Sequence, residues 1–347
     1  MSLGRGEDAA ERAASEQQHQ AEQDQDTAAQ AVHRRYDPLR GAWVLISPHR
    51  SRRPWLGQHA TVASSRTDYD PDCYLCPSNR RAGGQQNPAY KSTFVFDNDF
   101  PALLPSSLVI SASSSSSSSQ SSSSQSSSSS SSTPVDVLAS RLLQCEPESG
   151  VCRVLCFHPR HDLSLPELSS DELFQVVQAW ITEYRELSRD PQLSYVQIFE
   201  NKGALMGCSN PHPHCQLWAT RTLPALVSQE LSALRAYRVA HDGCCLLCDY
   251  VRLELQLCAR VVCQNDHFVI LVPYWAYWPF ETLLLSKRHV GSLLDLDEVE
   301  QHALANIIHQ VTVLYDNLFR VSFPYSMGFH QEPCGSGSSS SSDTPIP

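Results

Sequence analysis

The sequence has no apolar run that approaches the ~20 consecutive residues of a transmembrane helix. Its N-terminus is rich in Gln, Glu and Ala and lacks the apolar core of a secretory signal peptide. We therefore expect no membrane association and a cytoplasmic location. The chain contains 13 cysteines, and without a secretory signal we interpret them as reduced thiols or metal ligands.

Positive charge is scarce, because 26 Lys and Arg face 37 Asp and Glu, giving a net charge of −11. We therefore expect no nucleic-acid partner. The charge is uneven, since residues 33–66 hold seven arginines against the single acid Asp37. A local basic cluster in an acidic protein suits a small phosphorylated ligand. The plain alternative is a solvated surface, which fits most of these arginines.

Low-complexity segments divide the chain. Residues 1–32 are polar and poor in aromatic residues, which predicts a disordered tail. Residues 111–133 are almost entirely serine and predict a flexible insertion, and residues 335–347 predict a low-complexity tail. Between these segments we expect two units, 33–220 and 221–334, because the length allows two modest domains.

Hydrophobic periodicity predicts both strands and helices. The helix at 169–187 begins with Ser169 and Glu172, spaced as a capping box. Strands and helices mix without regular alternation, which favours an α+β fold over a doubly wound α/β fold. The predicted strands lie at residues 43–46, 92–96, 195–199, 268–273 and 282–286, and the other predicted helices at 224–239 and 296–318.

The most informative stretch is residues 207–218, which read Gly-Cys-Ser-Asn-Pro-His-Pro-His-Cys-Gln-Leu-Trp. On an extended strand, residues at i, i+2 and i+4 point to the same face. This spacing places His212, His214 and Gln216 together. Two histidines and a glutamine on one face indicate a polar, nucleotide-sized site. The alternative is a hairpin with buried histidines.

The residues between them complete the strand prediction. Cys215 and Leu217 fall on the opposite face. Pro211 and Pro213 lack the N–H that a central strand needs, so they predict an edge strand or an irregular strand start. Residues 201–203, Asn-Lys-Gly, predict a turn after the preceding strand.

Residues 210–216 resemble the active-site sequence of the galactose-1-phosphate uridylyltransferases, a branch of the histidine-triad superfamily. The superfamily motif is His-x-His-x-His, and this branch has glutamine in the third place, here Gln216. The resemblance runs from about His33 to about His330. It implies a histidine-triad-like mixed or antiparallel sheet flanked by helices, in two related halves.

The resemblance also implies an activity. The enzyme would transfer UMP from UDP-glucose to galactose 1-phosphate, giving UDP-galactose and glucose 1-phosphate, as a homodimer. By the resemblance, His214 would be the nucleophile. A neutral imidazole, with a pKa of ~6.5, is nucleophilic near pH 7. Gln216 would bind a phosphate oxygen. The intermediate would be a uridylyl-histidine, which implies ping-pong kinetics.

Cys73-x-x-Cys76 has the spacing of a zinc knuckle but is only half a site. The resemblance implies that His161 and His212 complete a Cys2His2 zinc site with it. The spacing alone does not select these histidines.

Other metal arrangements are possible. A rival four-cysteine site would pair Cys73 and Cys76 with Cys245-x-x-Cys248; it leaves the two histidines unexplained. The plain interpretation of Cys245 and Cys248 is two small buried apolar residues. Glu230 and His330 match two ligands of the family's second metal site, which would hold iron or zinc.

The resemblance assigns the substrate contacts by position. It implies three sets of contacts: the arginines of a Ser-Pro-His-Arg loop, the contacts to ribose and uracil, and the contacts on the phosphate side. The matching residues are, in that order, Arg50 and Arg53; Asn98 and Asp99; and Asn201, Gly207, Cys208 and Ser209.

The end of the sequence departs from the family pattern. Family members continue past residues 323–330 into a further His-rich strand, whereas this sequence ends in Gly-Ser repeats. We therefore expect a truncated second half and an incomplete second metal site. Two functional alternatives follow: a histidine-triad nucleotide phosphorylase or hydrolase, and a catalytically impaired zinc-binding form.

Overall fold

The computed structural model describes residues 31–52, 67–106 and 134–335. Several expectations lie outside these ranges. They are the disordered tail up to residue 30, Arg53, the serine-rich insertion at 111–133 and the C-terminal tail beyond residue 335.

The described residues form ten strands, five α-helices and four short 3-10 turns. The strands are β1 His33–Asp37, β2 Ala42–Ile46, β3 Phe94–Asp97, β4 Gly150–Cys156, β5 Tyr195–Lys202, β6 His214–Thr220, β7 Val261–Gln264, β8 Phe268–Leu271, β9 Leu283–Ser286 and β10 Tyr325–Phe329. The helices are α1 Pro134–Leu142, α2 Ser170–Leu187, α3 Ala225–Ala240, α4 Leu246–Leu257 and α5 Glu298–Phe319. The 3-10 turns are Pro48–Arg52, Leu165–Glu167, Ala204–Met206 and Leu293–Asp295.

The largest sheet has five antiparallel strands in the order β10-β5-β6-β4-β3. Strands β1 and β2 form a hairpin, and β7, β8 and β9 form a separate antiparallel sheet. Helices pack on one face of the five-stranded sheet. The α+β prediction is therefore confirmed, with every sheet antiparallel in the described part of the chain.

Helix α2 forms as its sequence predicts. Ser169 is the N-cap, and its hydroxyl and the Glu172 carboxylate form a capping box that satisfies exposed N–H groups of the first turn. One stripe of the helix is apolar and buried, which fixes the face that packs on the sheet. Its buried positions include Leu173, Val176, Trp180, Tyr184 and Leu187.

The core lies between the five-stranded sheet and helices α2 and α5. Cys215, Leu217 and Ala219 of β6 point into it. Trp180 is fully buried there and its Nε1–H donates to Cys215 Sγ at 3.2 Å. Because alternate residues of a strand face opposite ways, His214 and Gln216 lie on the face that these helices leave uncovered.

The two related halves are visible as a repeated order of elements. In the first half β4 is followed by the turn Leu165–Glu167, α2 and β5. In the second half β9 is followed by the turn Leu293–Asp295, α5 and β10. Strands β5 and β10 pair with each other, so the second half supplies an outer strand to the sheet of the first.

Of the two alternatives predicted for the strand around the histidine motif, an irregular start and an edge strand, the structure shows the first. Strand β6 begins at His214, after Pro211 and Pro213, so the irregular start is confirmed. The edge-strand alternative is wrong, because β4 and β5 pair with β6 on both sides. The prolines cost no ladder hydrogen bond, since they precede the paired residues.

One other local prediction, the turn at residues 201–203, is wrong. Asn201 and Lys202 continue strand β5, because they pair with Ser326 and Tyr325 of β10, a partner that lies far away in sequence. The turn begins at Gly203, whose φ of +89° favours glycine. Helix α4 was not predicted, although its buried residues recur at helical spacing.

Within the described ranges, no helix combines the length and the apolar character needed to cross a bilayer.

Candidate active site and metal centre

The uncovered face of the five-stranded sheet carries the candidate active site. On this face His214 is paired with Cys156 of β4, and Gln216 lies between Val154 of β4 and Phe199 of β5. The sequence predicted His212, His214 and Gln216 on one face and Cys215 and Leu217 on the other. The alternation of burial along β6 confirms this for His214 to Leu217, whereas His212 precedes the strand and belongs to the metal-ligand cluster.

Four predicted metal ligands come together beside this face. The donor atoms of Cys73, Cys76, His161 and His212 all lie within 4.8 Å of one another, and all four residues are buried. Cys76 Sγ is 3.6 Å from His161 Nδ1 and 3.5 Å from His212 Nδ1. Two sulfurs and two ring nitrogens at this separation are the donor set of a tetrahedral zinc site.

The rival four-cysteine site is ruled out. Cys245 and Cys248 lie with His289 in a separate group and do not join Cys73 and Cys76. Both cysteines are only partly buried at the start of α4 and lie beside His289, so the interpretation as two small buried apolar residues is also wrong.

A backbone contact decides which ring nitrogen of His212 carries the hydrogen. His212 Nε2 lies 3.0 Å from the His158 carbonyl oxygen, which can only accept a hydrogen bond. Nε2 therefore carries the hydrogen, and Nδ1 keeps the lone pair that faces Cys76. A metal-binding histidine is commonly oriented in this way through its other nitrogen.

The donors fit a bound cation. Burial raises the pKa of the Cys76 thiol to about 12, and burial, helped by nearby His161, lowers the pKa of His212 to about 3. A buried thiolate is unfavourable without a positive charge beside it, and a divalent metal supplies that charge. The group can therefore hold a metal ion.

Asn210 connects the cluster to the histidine motif. Its Oδ1 accepts the His212 backbone N–H at 2.9 Å, and its Nδ2 donates to Cys73 Sγ at 3.5 Å. The residue was not singled out from sequence, although it opens the matched motif. Tyr90, whose hydroxyl is 3.0 Å from His212 Nε2, lies outside the matched motif, and no sequence pattern points to it.

We expect Asn210→Ala to weaken zinc affinity by roughly 10- to 100-fold, because it removes the hydrogen bonds that Asn210 makes to His212 and Cys73, two of the four donors. Zinc affinity is measured by competition with a chromophoric chelator. Asn265→Ala is the matched control, since Asn265 Oδ1 likewise accepts the N–H two residues ahead, from His267 at 3.1 Å. Equal zinc affinity in the two variants contradicts this prediction.

His214 is held in the tautomer that a nucleophile needs. Its Nδ1 lies 2.7 Å from the His212 carbonyl oxygen, so Nδ1 carries the hydrogen and donates it. Nε2 then keeps a lone pair and has no partner among the described residues. Burial lowers the pKa of the ring below its usual value, which keeps it neutral.

Gln216 is oriented by its neighbour on the same face. Trp218 Nε1–H donates to Gln216 Oε1 at 3.1 Å. The carboxamide oxygen is therefore occupied, and the NH2 group is the end left to donate to an acceptor such as a phosphate oxygen.

A small cleft joins these groups to the predicted phosphate-side residues. Gly207, with a φ of +80°, allows the chain to turn sharply at the cleft wall. Asn201 is fixed by a 2.6 Å hydrogen bond between Ser326 Oγ and its Oδ1. The cleft is lined by Phe199, Asn201, Gly207, Cys208, Ser209, His214, Cys215 and Gln216.

The other predicted substrate residues lie outside this cleft. Asn98 and Asp99 follow β3 at the far edge of the sheet, where Asn98 Oδ1 accepts the Phe100 N–H at 2.9 Å. Asp99 lies 3.8 Å from Arg81 Nε. Arg50 is exposed on the 3-10 turn Pro48–Arg52, and Arg53 is not described.

The two predicted ligands of the second metal site are neighbours. Glu230 Oε2 and His330 Nδ1 are 2.6 Å apart, beside a cavity of about 560 Å³. No third Cys, His, Asp or Glu joins them within residues 31–52, 67–106 and 134–335.

These features define the class of protein: an α+β protein that presents a histidine nitrogen beside a buried Cys2His2 group able to hold a metal ion. The profile of the galactose-1-phosphate uridyl transferase N-terminal domain matches residues 20–224, and that of the C-terminal domain matches residues 230–343. The chain belongs to the galactose-1-phosphate uridylyltransferase family.

Curated relatives agree with this assignment, and a solved structure shares the fold. The Haemophilus influenzae galactose-1-phosphate uridylyltransferase is 47% identical over 303 residues, which cover 87% of this chain and 78% of that protein. The Neurospora crassa enzyme of the same name is 43% identical over 330 residues, covering 87% and 81%. An Arabidopsis thaliana ADP-glucose phosphorylase structure with bound ADP-glucose shares the fold, with a TM-score of 0.64, 22% identity and coverage of 88% and 83%.

Proposed function

We propose that this protein transfers UMP from UDP-glucose to galactose 1-phosphate through a covalent uridylyl-histidine. One observation carries the proposal: the Nδ1–H of His214 is held by the His212 carbonyl at 2.7 Å, which leaves Nε2 as a lone-pair donor in the cleft. Family membership supplies the substrates, since the relatives are named for this activity.

In the first half-reaction, His214 Nε2 attacks the α-phosphorus of UDP-glucose. A P–N bond forms, the P–O bond to the sugar phosphate breaks, and its electron pair leaves with glucose 1-phosphate. The leaving group is an anion of low basicity, so it needs little help from a general acid. The His212 carbonyl stabilises the positive charge on the substituted imidazole through the Nδ1–H.

In the second half-reaction, a phosphate oxygen of galactose 1-phosphate attacks the same phosphorus. The P–N bond breaks, its electron pair returns to His214 Nε2, and UDP-galactose leaves. We assign to Gln216 the binding of a non-bridging phosphate oxygen through its NH2 group. A neutral amide can hold the uridylyl group in both half-reactions without giving up a proton.

We propose that the cluster of Cys73, Cys76, His161 and His212 holds zinc. When bound, zinc supplies a structural cross-link, because all four positions of a tetrahedral site are protein donors. His212 then acts through its backbone. Its carbonyl fixes the tautomer of His214, so the metal ligand and the nucleophile are coupled through one peptide.

The remaining substrate roles rest on the family resemblance. We assign binding of the phosphates to the cleft residues and binding of the uridine to the residues after β3. The arginines of the Ser-Pro-His-Arg loop are assigned as further substrate contacts. These residues are Asn201, Gly207, Cys208 and Ser209; Asn98 and Asp99; and Arg50 and Arg53. Homodimer assembly, a cytoplasmic location and a second metal at Glu230 and His330 stay predictions.

The proposal is tested by incubating the protein with UDP-glucose and no acceptor, followed by intact-mass and peptide mass spectrometry. We expect one uridylyl group per chain, on the peptide that contains His214. Adding galactose 1-phosphate should remove it and release UDP-galactose. An adduct on another residue, or no adduct, contradicts the proposed mechanism.

The same experiment separates the alternative functions by acceptor. Release of UDP by inorganic phosphate, or of free UMP by water, at a rate that exceeds transfer to galactose 1-phosphate would indicate a phosphorylase or a hydrolase. A protein that binds zinc and UDP-glucose but forms no adduct would be the catalytically impaired form. ADP-glucose is the informative competing donor, because a solved structure of similar fold binds it.

A further inference from the structure

A second cluster of metal-binding side chains lies in the other half of the molecule. The donor atoms of Cys245, Cys248 and His289 all lie within 4.8 Å of one another. Cys248 Sγ is 3.3 Å from His289 Nδ1. We propose that these three residues form a second zinc site, distinct from the Cys2His2 cluster and from the Glu230–His330 pair.

The two cysteines are placed by the start of helix α4. Cys245 is the N-cap, and its Sγ accepts the Cys248 backbone N–H at 3.5 Å. Cys-x-x-Cys across a helix start brings both sulfurs to one side of the first turn.

His289 is held on a loop that is fixed on both sides. Before it, Arg288 forms two 2.7 Å hydrogen bonds to the Glu300 carboxylate of α5. After it, Asp295 Oδ2 accepts the N–H groups of Gly291 and Ser292 at 2.9 Å. The imidazole therefore reaches the cysteines from a loop that needs little ordering to bind a metal ion.

The loop that presents His289 repeats the loop that presents His161. His161 precedes Ser164, the N-cap of a 3-10 turn, by three residues and precedes the N-cap of α2 by eight. His289 precedes Ser292 by three residues and the N-cap of α5 by eight. Both turns and both helices begin with a capping box.

The cysteines repeat as well. Cys73-x-x-Cys76 contacts the first histidine, and Cys245-x-x-Cys248 contacts the second. The second cluster therefore occupies the position in its half that three of the four Cys2His2 ligands occupy in theirs. A chance meeting of surface cysteines with a histidine would not reproduce this spacing.

The donor set selects the class of metal. Two thiolates and one imidazole favour zinc and disfavour magnesium or calcium, which prefer oxygen ligands. In the described part of the chain no fourth Cys, His or carboxylate joins the group. The fourth position is therefore available to water or to a further donor. The bound ion would link α4 to the loop between β9 and α5.

The test is native mass spectrometry of the full chain purified in the presence of zinc, with zinc content measured in parallel. We expect at least two zinc ions per chain in the unsubstituted protein. Cys248→Ser and His289→Gln should each lose one ion. Cys258→Ser is the matched control, because Cys258 is an exposed thiol at the other end of α4 outside the cluster.

Other results would overturn the proposal. One zinc per chain in the unsubstituted protein would do so, as would a mass two hydrogens lower that maps to a Cys245–Cys248 disulfide. If Glu230→Gln loses the second ion and Cys248→Ser keeps it, the ion belongs to the Glu230–His330 pair. Because the unsubstituted protein is measured directly, the test holds even if a variant fails to fold.

Discussion

Replacing His214 by glycine is expected to lower the rate of UDP-galactose formation by a factor on the order of 10⁴ or more, because the covalent route loses its nucleophile. The fold and the zinc content should be kept. The ring makes one hydrogen bond, to the His212 carbonyl, and it is not part of the metal cluster. Rates, zinc content and the thermal transition are measured on the same preparation.

The cavity left by His214→Gly offers a chemical control. Added imidazole should restore attack on UDP-glucose and release uridylyl-imidazole, which the unsubstituted protein does not form. His241→Gly is the matched substitution, because His241 is exposed at the C-terminal end of α3 and should keep full activity. Covalent labelling of a different histidine in His214→Gly would show that the nucleophile is misassigned.

Cys76→Ser is expected to lose the zinc ion and to lower the free energy of unfolding by more than about 4 kcal/mol, since metal loss is among the most destabilising single changes. Cys76 is 0% exposed and its sulfur is within 3.6 Å of both histidine ligands. Removing it would leave the remaining donors buried without a cation. Elemental analysis and chemical denaturation measure the two effects.

Cys152→Ser is the control for placing a hydroxyl in a buried thiol site. Cys152 is 3% exposed, also faces the active-site side of the sheet, and does not belong to a metal cluster. We expect it to keep the zinc and to cost only about 1 kcal/mol. If Cys76→Ser matches Cys152→Ser in both zinc content and stability, the zinc assignment is wrong.

His214→Gly and Cys76→Ser should differ in how each affects the other site. The His212 carbonyl orients His214, and the His212 ring belongs to the metal cluster. Losing the metal should therefore disturb the nucleophile, so Cys76→Ser should also lower activity. Losing the nucleophile should leave the metal in place. Zinc content in the two variants reveals this one-way dependence.

Local sequence rules explain the correct predictions well. The capping box of Ser169 and Glu172 marked the start of α2, because a hydroxyl and a carboxylate spaced by three residues satisfy helix N–H groups locally. The alternation around His214 and Gln216 gave the faces of β6, because side chains alternate on any strand. Neither argument needs a distant partner.

The errors arose where a distant partner decides the outcome. Asn201 and Lys202 have the composition of a turn, yet pairing with β10 keeps them in a strand. The prolines allowed an edge strand, yet β4 and β5 enclose β6 on both sides.

The sequence by itself determined the α+β class, the family and the Cys-x-x-Cys and histidine motifs, because these depend on residue type and short-range spacing. Only the tertiary structure decided which cysteines meet which histidines. Cys76 contacts His161 and His212 across long stretches of chain, and Cys248 contacts His289 in the other half. The tautomer of His214 was decided in the same way, because the fold directs the His212 carbonyl at Nδ1. Metal binding and nucleophilic attack depend on distances of a few ångströms, and sequence spacing does not fix such distances between separate elements.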